Sequence, residues 1–104
     1  MANPLRGEVE VILDGAVCNA RLTLGALAAL EHELGAGSLL ELAERFETSR
    51  FTGSDVIAVL AAGLRAGGWS GGTEDLLRAD IAGGPMAAAR AAAQLLALAF
   101  RGPA

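Results

Sequence analysis

The first regular pattern along the chain is an alternation. Val9, Val11 and Leu13 fall on one side of residues 7–13, with Glu8 and Glu10 between them. A period of two predicts a half-buried strand. Asp14-Gly15 follows, a dipeptide suited to a type I′ hairpin turn because both positions of that turn need positive φ. The return strand, residues 16–22, alternates less regularly. A β-hairpin is therefore expected over about residues 7–22 and a helical region over about residues 23–101.

From Thr23, an N-cap, the apolar spacing lengthens to that of a helix. Leu27, Leu30 and Leu34 form one stripe, and Gly35 is placed to close the element. Ser38 and Glu41 make a capping box for a second helix, with Leu39, Leu42, Ala43 and Phe46 inward and Glu41, Glu44 and Arg45 outward. Phe51-Thr52-Gly53 is a break, after which Ser54 caps a third helix over residues 55–66 with Val56, Ile57, Leu60 and Leu64 buried. Gly67-Gly68 ends it. Thr73 caps a short fourth helix running to about residue 82, whose first-turn carboxylates Glu74 and Asp75 offset the positive end of the helix dipole. Gly83-Gly84-Pro85 breaks the chain again, and Pro85 suits the first turn of a last helix over residues 86–101. The expected fold is mainly α with a small N-terminal β-hairpin (α+β), a compact bundle of about five short helices forming a single domain over residues 1–104.

Two features point to protein binding. In the last helix Arg90, Gln94 and Arg101 make one narrow polar stripe, while Ala88, Ala91, Ala92, Leu95, Leu96, Leu98, Ala99 and Phe100 fill nearly all the rest. A surface helix needs an apolar face only about 100° wide. Either this helix is central to the core or a partner covers part of it. The second feature is Trp69, the single Trp, on a Gly-flanked loop. It reads first as an anchor of that loop on the core and second as an interface hot spot. Trp69, Leu95, Leu96 and Phe100 are the protein-interface candidates. Making Leu96 and Phe100 polar is expected to break association and leave a folded monomer.

Composition changes the picture in three ways. The 104 residues fit one domain. They are 53% hydrophobic but only 4% aromatic, so the core must be built from Leu, Val, Ile and Ala. The net charge of −4, with the basic residues all Arg and scattered, disfavours phosphate neutralisation and hence nucleic-acid binding. A single Cys excludes an internal disulfide and suits a reducing cytoplasm. Residues 1–7 do not resemble a signal peptide. The most apolar run, residues 86–100, is interrupted by Arg90 and Gln94 and is shorter than the roughly 20 residues a membrane span needs. A soluble cytoplasmic protein is expected, with neither membrane nor nucleic acid as partner.

No catalytic constellation emerges. Zinc sites need several Cys or His at short spacing, whereas Cys18 and His32 stand alone. Cys18 reads as a small packed hydrophobe in a strand and His32 as a surface residue off its helix stripe. The Gly-rich stretch 67–72 lacks the Lys and the preceding strand of a phosphate loop. Glu8/Glu10, Glu31/Glu33 and Glu74/Asp75 are solvated neighbours rather than carboxyls in two environments facing one cleft. No enzyme activity, cofactor or metal is expected.

The order of elements carries a resemblance. Asn3-Pro4 and Arg6-Gly7-Glu8-Val9 lead into the hairpin, and Arg21-Leu22-Thr23-Leu24-Gly25-Ala26-Leu27 runs on to Leu30-Glu31. Val56 to Leu64 then precedes Arg65-Ala66-Gly67, a Gly-Gly-Pro and an Ala/Leu-rich closing helix. Over essentially its whole length the chain resembles the gene transfer agent family of phage tail assembly chaperones. The resemblance implies partners in the tail tape-measure protein and the tail tube protein, self-association as a further option, action in the bacterial cytoplasm and absence from the finished particle. It supplies no catalytic or metal residues. A structural minor tail component is the alternative, which four or more strands would favour. A small helical regulatory domain is the second alternative, which a localised Arg65/Arg78/Arg90/Arg101 face would favour.

Overall fold

The computed structural model describes residues 2–34 and 39–101, apart from the side chains of Pro4 and Arg101. Gly35 and the Ser38 capping position lie outside the described residues. After one 3-10 turn at Pro4–Arg6, β1 (Val9–Leu13) and β2 (Ala16–Ala20) pair antiparallel, Val9 opposite Ala20 and Leu13 opposite Ala16. Asp14 and Gly15 both take positive φ, 49° and 83°, as the type I′ turn requires. β2 stops two residues earlier than the pattern suggested. The Arg21 amide leaves the ladder and donates instead to the Gly63 carbonyl, 3.0 Å away.

Among the described residues five helices follow: α1 (Leu24–Leu34), α2 (Leu39–Glu47), α3 (Gly53–Ala66), α4 (Thr73–Arg78) and α5 (Gly84–Arg101). The Thr23 hydroxyl accepts from the Ala26 amide, so the first cap is as expected. α3 is capped by Thr52 rather than Ser54. Its hydroxyl accepts from the Asp55 amide while the Asp55 carboxylate accepts from the Thr52 amide, and this reciprocal pair sets the helix start at Gly53. α4 begins at Thr73, the residue expected to cap it. Gly72 is the N-cap, and the Asp75 carboxylate accepts from its amide at 2.8 Å.

α4 also ends at Arg78 instead of continuing to about residue 82. Ala79 turns to an extended conformation, and residues 80–82 run beside the hairpin. Asp14 N–H donates to the Asp80 carbonyl, Asp80 N–H donates to the Asp14 carboxylate, and Ala82 N–H donates to the Ile12 carbonyl. Ile81 bridges Leu13 antiparallel. The segment acts as a fragment of third strand and covers the edge of β1.

The centre of the molecule is α3. Val56 and every residue from Ala58 to Leu64 are buried, as expected of a helix with neighbours on all sides. α1, α5, α4 and β2 pack around it. α5 is the one-faced helix: Ala88, Ala91, Ala92, Leu95 and Leu96 are buried, whereas Arg90, Gln94 and Phe100 are exposed. Its apparent apolar excess is mostly alanine at partly covered positions, and α3 takes the central place that α5 could have filled.

Arg45, expected to face solvent, forks onto Asp55 instead. Its Nε and Nη2 each donate to a different carboxylate oxygen at 3.0 Å, which ties α2 to the first turn of α3. Phe46 and Phe51 stack beside this tie at 4.8 Å between ring centroids. Burial would push the Asp55 carboxyl up. The Arg45 hydrogen bonds, the Thr52 amide and the Arg45 charge outweigh it and hold the group below its ordinary value. A depressed carboxyl adds stability that is present above its unfolded pKa, about 3.9, and is lost as pH falls through the lower folded value. Asp55→Asn is therefore expected to destabilise the protein at neutral pH by about 1–2 kcal/mol, through the lost cap and ion pair. It should also flatten the stability–pH curve below about pH 4. Urea unfolding across pH checks both, and a variant with the wild-type acid profile would contradict the assignment.

Candidate functional site

Among the described residues, two concavities stand out. The larger, about 810 Å³, lies between the first half of α3, α4, the linker after it and the start of α5. Its lining is mostly apolar, with Phe51, Val56, Ile57, Leu77, Ile81 and Ala89 prominent. The smaller, about 200 Å³, lies between α2 and α5 and is lined by Phe46, Leu96, Ala97 and Phe100 among others.

The expected interface residues divide between inside and outside. Leu95 and Leu96 are 1% and 2% exposed. Leu95 presses on Gly63 so closely that a Cβ there would come within 2.9 Å of its Cδ1. Leu96 is the floor of the smaller groove, and Phe100, 41% exposed, is its rim. Trp69 is half-buried against the core. Its amide donates to the Leu64 carbonyl at the end of α3, and its ring lies over Gly71, leaving no room there for a Cβ. The loop is thus pinned by Trp69 at one end of α3, while Leu96 and Phe100 sit together on another face.

This placement corrects the expectation that Leu96 and Phe100 act alike. Leu96→Ser removes a buried side chain and is expected to cost about 2–5 kcal/mol of stability. Phe100→Ser should cost less, about 1 kcal/mol, because the residue is only partly covered. Thermal melts of the two single variants check this, and equal losses would contradict the placement.

Sequence reasoning missed two other exposed apolar residues, Leu77 and Met86. Leu76 and Leu77 are adjacent on α4, yet Leu76 is buried and Leu77 is 64% exposed at the larger cleft. Met86, at the start of α5, is 73% exposed. A wheel drawn with the expected helix end near residue 82 would have shown the pair splitting, since neighbours on a helix lie 100° apart.

The chemistry-bearing residues are dispersed. Cys18 is half-buried, its thiol 3.8 Å from the Ala16 carbonyl, and His32 is exposed. Among the described residues no group of three or more His, Cys, Asp or Glu is placed to hold a metal ion, and no helix is long and apolar enough to cross a membrane. What the arrangement offers is apolar concave surface with exposed Leu77 at the larger cleft and Phe100 at the smaller.

Comparison with curated proteins and with solved structures finds no match. A family model described as "Phage tail tube protein, GTA-gp10" matches residues 6–102, nearly the whole chain. With its hairpin, its helical body and its apolar clefts all inside that match, the chain belongs to this gene transfer agent tail family.

Proposed function

We propose that the protein is a structural component of the tail of a phage-like particle, a small subunit that acts by binding other tail proteins rather than by catalysis. The observation that carries this reading is the family match over residues 6–102, whose description names a tail tube protein. The open apolar cleft beside Leu77 suits such contacts, because large exposed apolar patches on soluble domains usually serve association. The family description favours this role over the chaperone role that the sequence resemblance suggested.

The test is to tag the chain in its producing cells, purify finished particles and quantify it by mass spectrometry. Copy numbers in fixed proportion to the other tail proteins support the structural reading. Absence from particles, with recovery from the cytoplasm in complex with the tape-measure protein, overturns it.

One observation favours that second reading, a tail assembly chaperone for the tape-measure protein that helps recruit tube subunits. The sheet has two strands plus a single bridge among the described residues, and the rest of the domain is helical. A hairpin of this size offers little edge for ring-forming sheet contacts, whereas helical clefts suit helical partners.

A further inference from the structure

We infer that the larger cleft docks an amphipathic helix bearing a basic flank, supplied by another tail protein. The inference rests on the proposed function for the source of the helix, and on the cleft itself for its chemistry.

The floor is small and the walls are greasy. Ala58, Ala88 and Ala89 line the base, and Ile57, Leu77 and Ile81 rise beside it. A floor of alanines leaves depth for large side chains from outside, and about 810 Å³ admits several of them. An amphipathic helix presents such side chains at i, i+3 or i+4, and i+7, the spacing that helix-in-groove recognition uses. Leu77 is 64% exposed at one wall, an apolar area that a seated helix would cover.

Charge decides which helix. Among the described residues, Glu33 and Asp80 are the ionisable groups that line the cleft, one at the end of α1 and one on the linker after α4. Both are carboxylates and both are exposed, and no Arg joins them. The Asp80 backbone is occupied in the clasp to Asp14, which fixes the position of that residue. An apolar stripe flanked by Arg or Lys would meet both carboxylates from within the groove, while an acidic flank would be repelled. A small apolar ligand could fill the volume but would leave both carboxylates unengaged.

The experiment uses the full chain and two synthetic helical peptides with the same leucine stripe, one flanked by Arg and one by Glu. Isothermal titration at low salt should show the Arg-flanked peptide binding at least about tenfold more tightly, a preference that shrinks as salt is added. The double variant E33Q/D80N should lose about three- to tenfold of that affinity, as expected for two exposed ion pairs. Leu77→Gln should weaken binding of the Arg-flanked peptide with an unchanged melting curve, because the side chain is 64% exposed. Equal affinity for both peptides, indifference to Leu77→Gln, or binding of an apolar dye with no peptide binding would each overturn the inference. The particle assay is independent of this titration. A chain found in particles yet without the Arg preference would sink the cleft assignment alone, and a chain with the preference yet absent from particles would sink only the structural role.

Discussion

Leu60→Ala is expected to lower the free energy of unfolding by about 2–5 kcal/mol, the range for emptying a leucine site that cannot collapse. Leu60 is 0% exposed and lies mid-helix in α3, with Val59 and Ala61 on either side also fully covered. α1, α5 and β2 close around that helix, so no single element can shift inward without opening another contact. The effect is magnified by composition. A core with few aromatics and many alanines depends on its leucines for most of its large side-chain burial. Domains of this size have a total stability of about 5–15 kcal/mol, so the loss could reach a third or more of it. Urea unfolding followed by far-UV circular dichroism measures the change. Leu40→Ala, at a leucine 70% exposed on α2, should stay within about 0.5 kcal/mol. A loss below about 1 kcal/mol at Leu60 would mean that α3 is not the centre of the core.

Gly67→Ala is expected to destabilise the protein by about 1–3 kcal/mol or more through overpacking against backbone. Gly67 caps α3, its amide donating to the Gly63 and Leu64 carbonyls. A Cβ added there would run into the carbonyl of Asn19. Neither side can yield cheaply. Asn19 belongs to β2 and is held opposite Glu10 in the ladder, and its own side-chain oxygen is already buried without a hydrogen-bond partner. The informative comparison is Gly53→Ala in the first turn of the same helix, where an added Cβ meets nothing within 4 Å. There the better helix propensity of alanine should raise stability by about 0.5–1 kcal/mol. Opposite signs from two glycines of one helix would locate the strand–helix contact, and equal signs would contradict it.

The parts of this fold legible in the sequence were those encoded by neighbouring residues. Asp14-Gly15 specifies its turn through local φ preferences, and Thr23 caps α1 through a hydroxyl three residues from its donor. The cap of α3 was misplaced because two hydroxyl residues, Thr52 and Ser54, compete for it. The deciding group is Asp55, an aspartate standing where capping boxes usually carry Glu or Gln. The closure of α2 is similar. Ser49 takes φ 57°, and the Arg50 amide reaches back to the Arg45 carbonyl, a turn usually given to glycine. Tertiary pairing was out of reach: nothing local reveals that Arg45 meets Asp55 or that Ile81 meets Leu13. The candidate surface followed the same divide. The apolar excess of α5 was readable as a pattern, but burial of Leu95 and Leu96 depended on where Gly63 and α2 would sit. The larger cleft was invisible because its lining comes from four helices and the linkers between them.

The clasp of residues 80–82 onto the hairpin also orders events in time. The hairpin can form before the helical region is synthesised, but the edge of β1 stays open until Asp80, Ile81 and Ala82 arrive, after α1 to α4 have been made. Contacts between segments so distant in the chain close late and slow folding, because loop entropy must be overcome first. During that interval the nascent chain displays a free strand edge able to pair with another copy. Protection of this strand edge therefore waits on a segment made well after the hairpin itself.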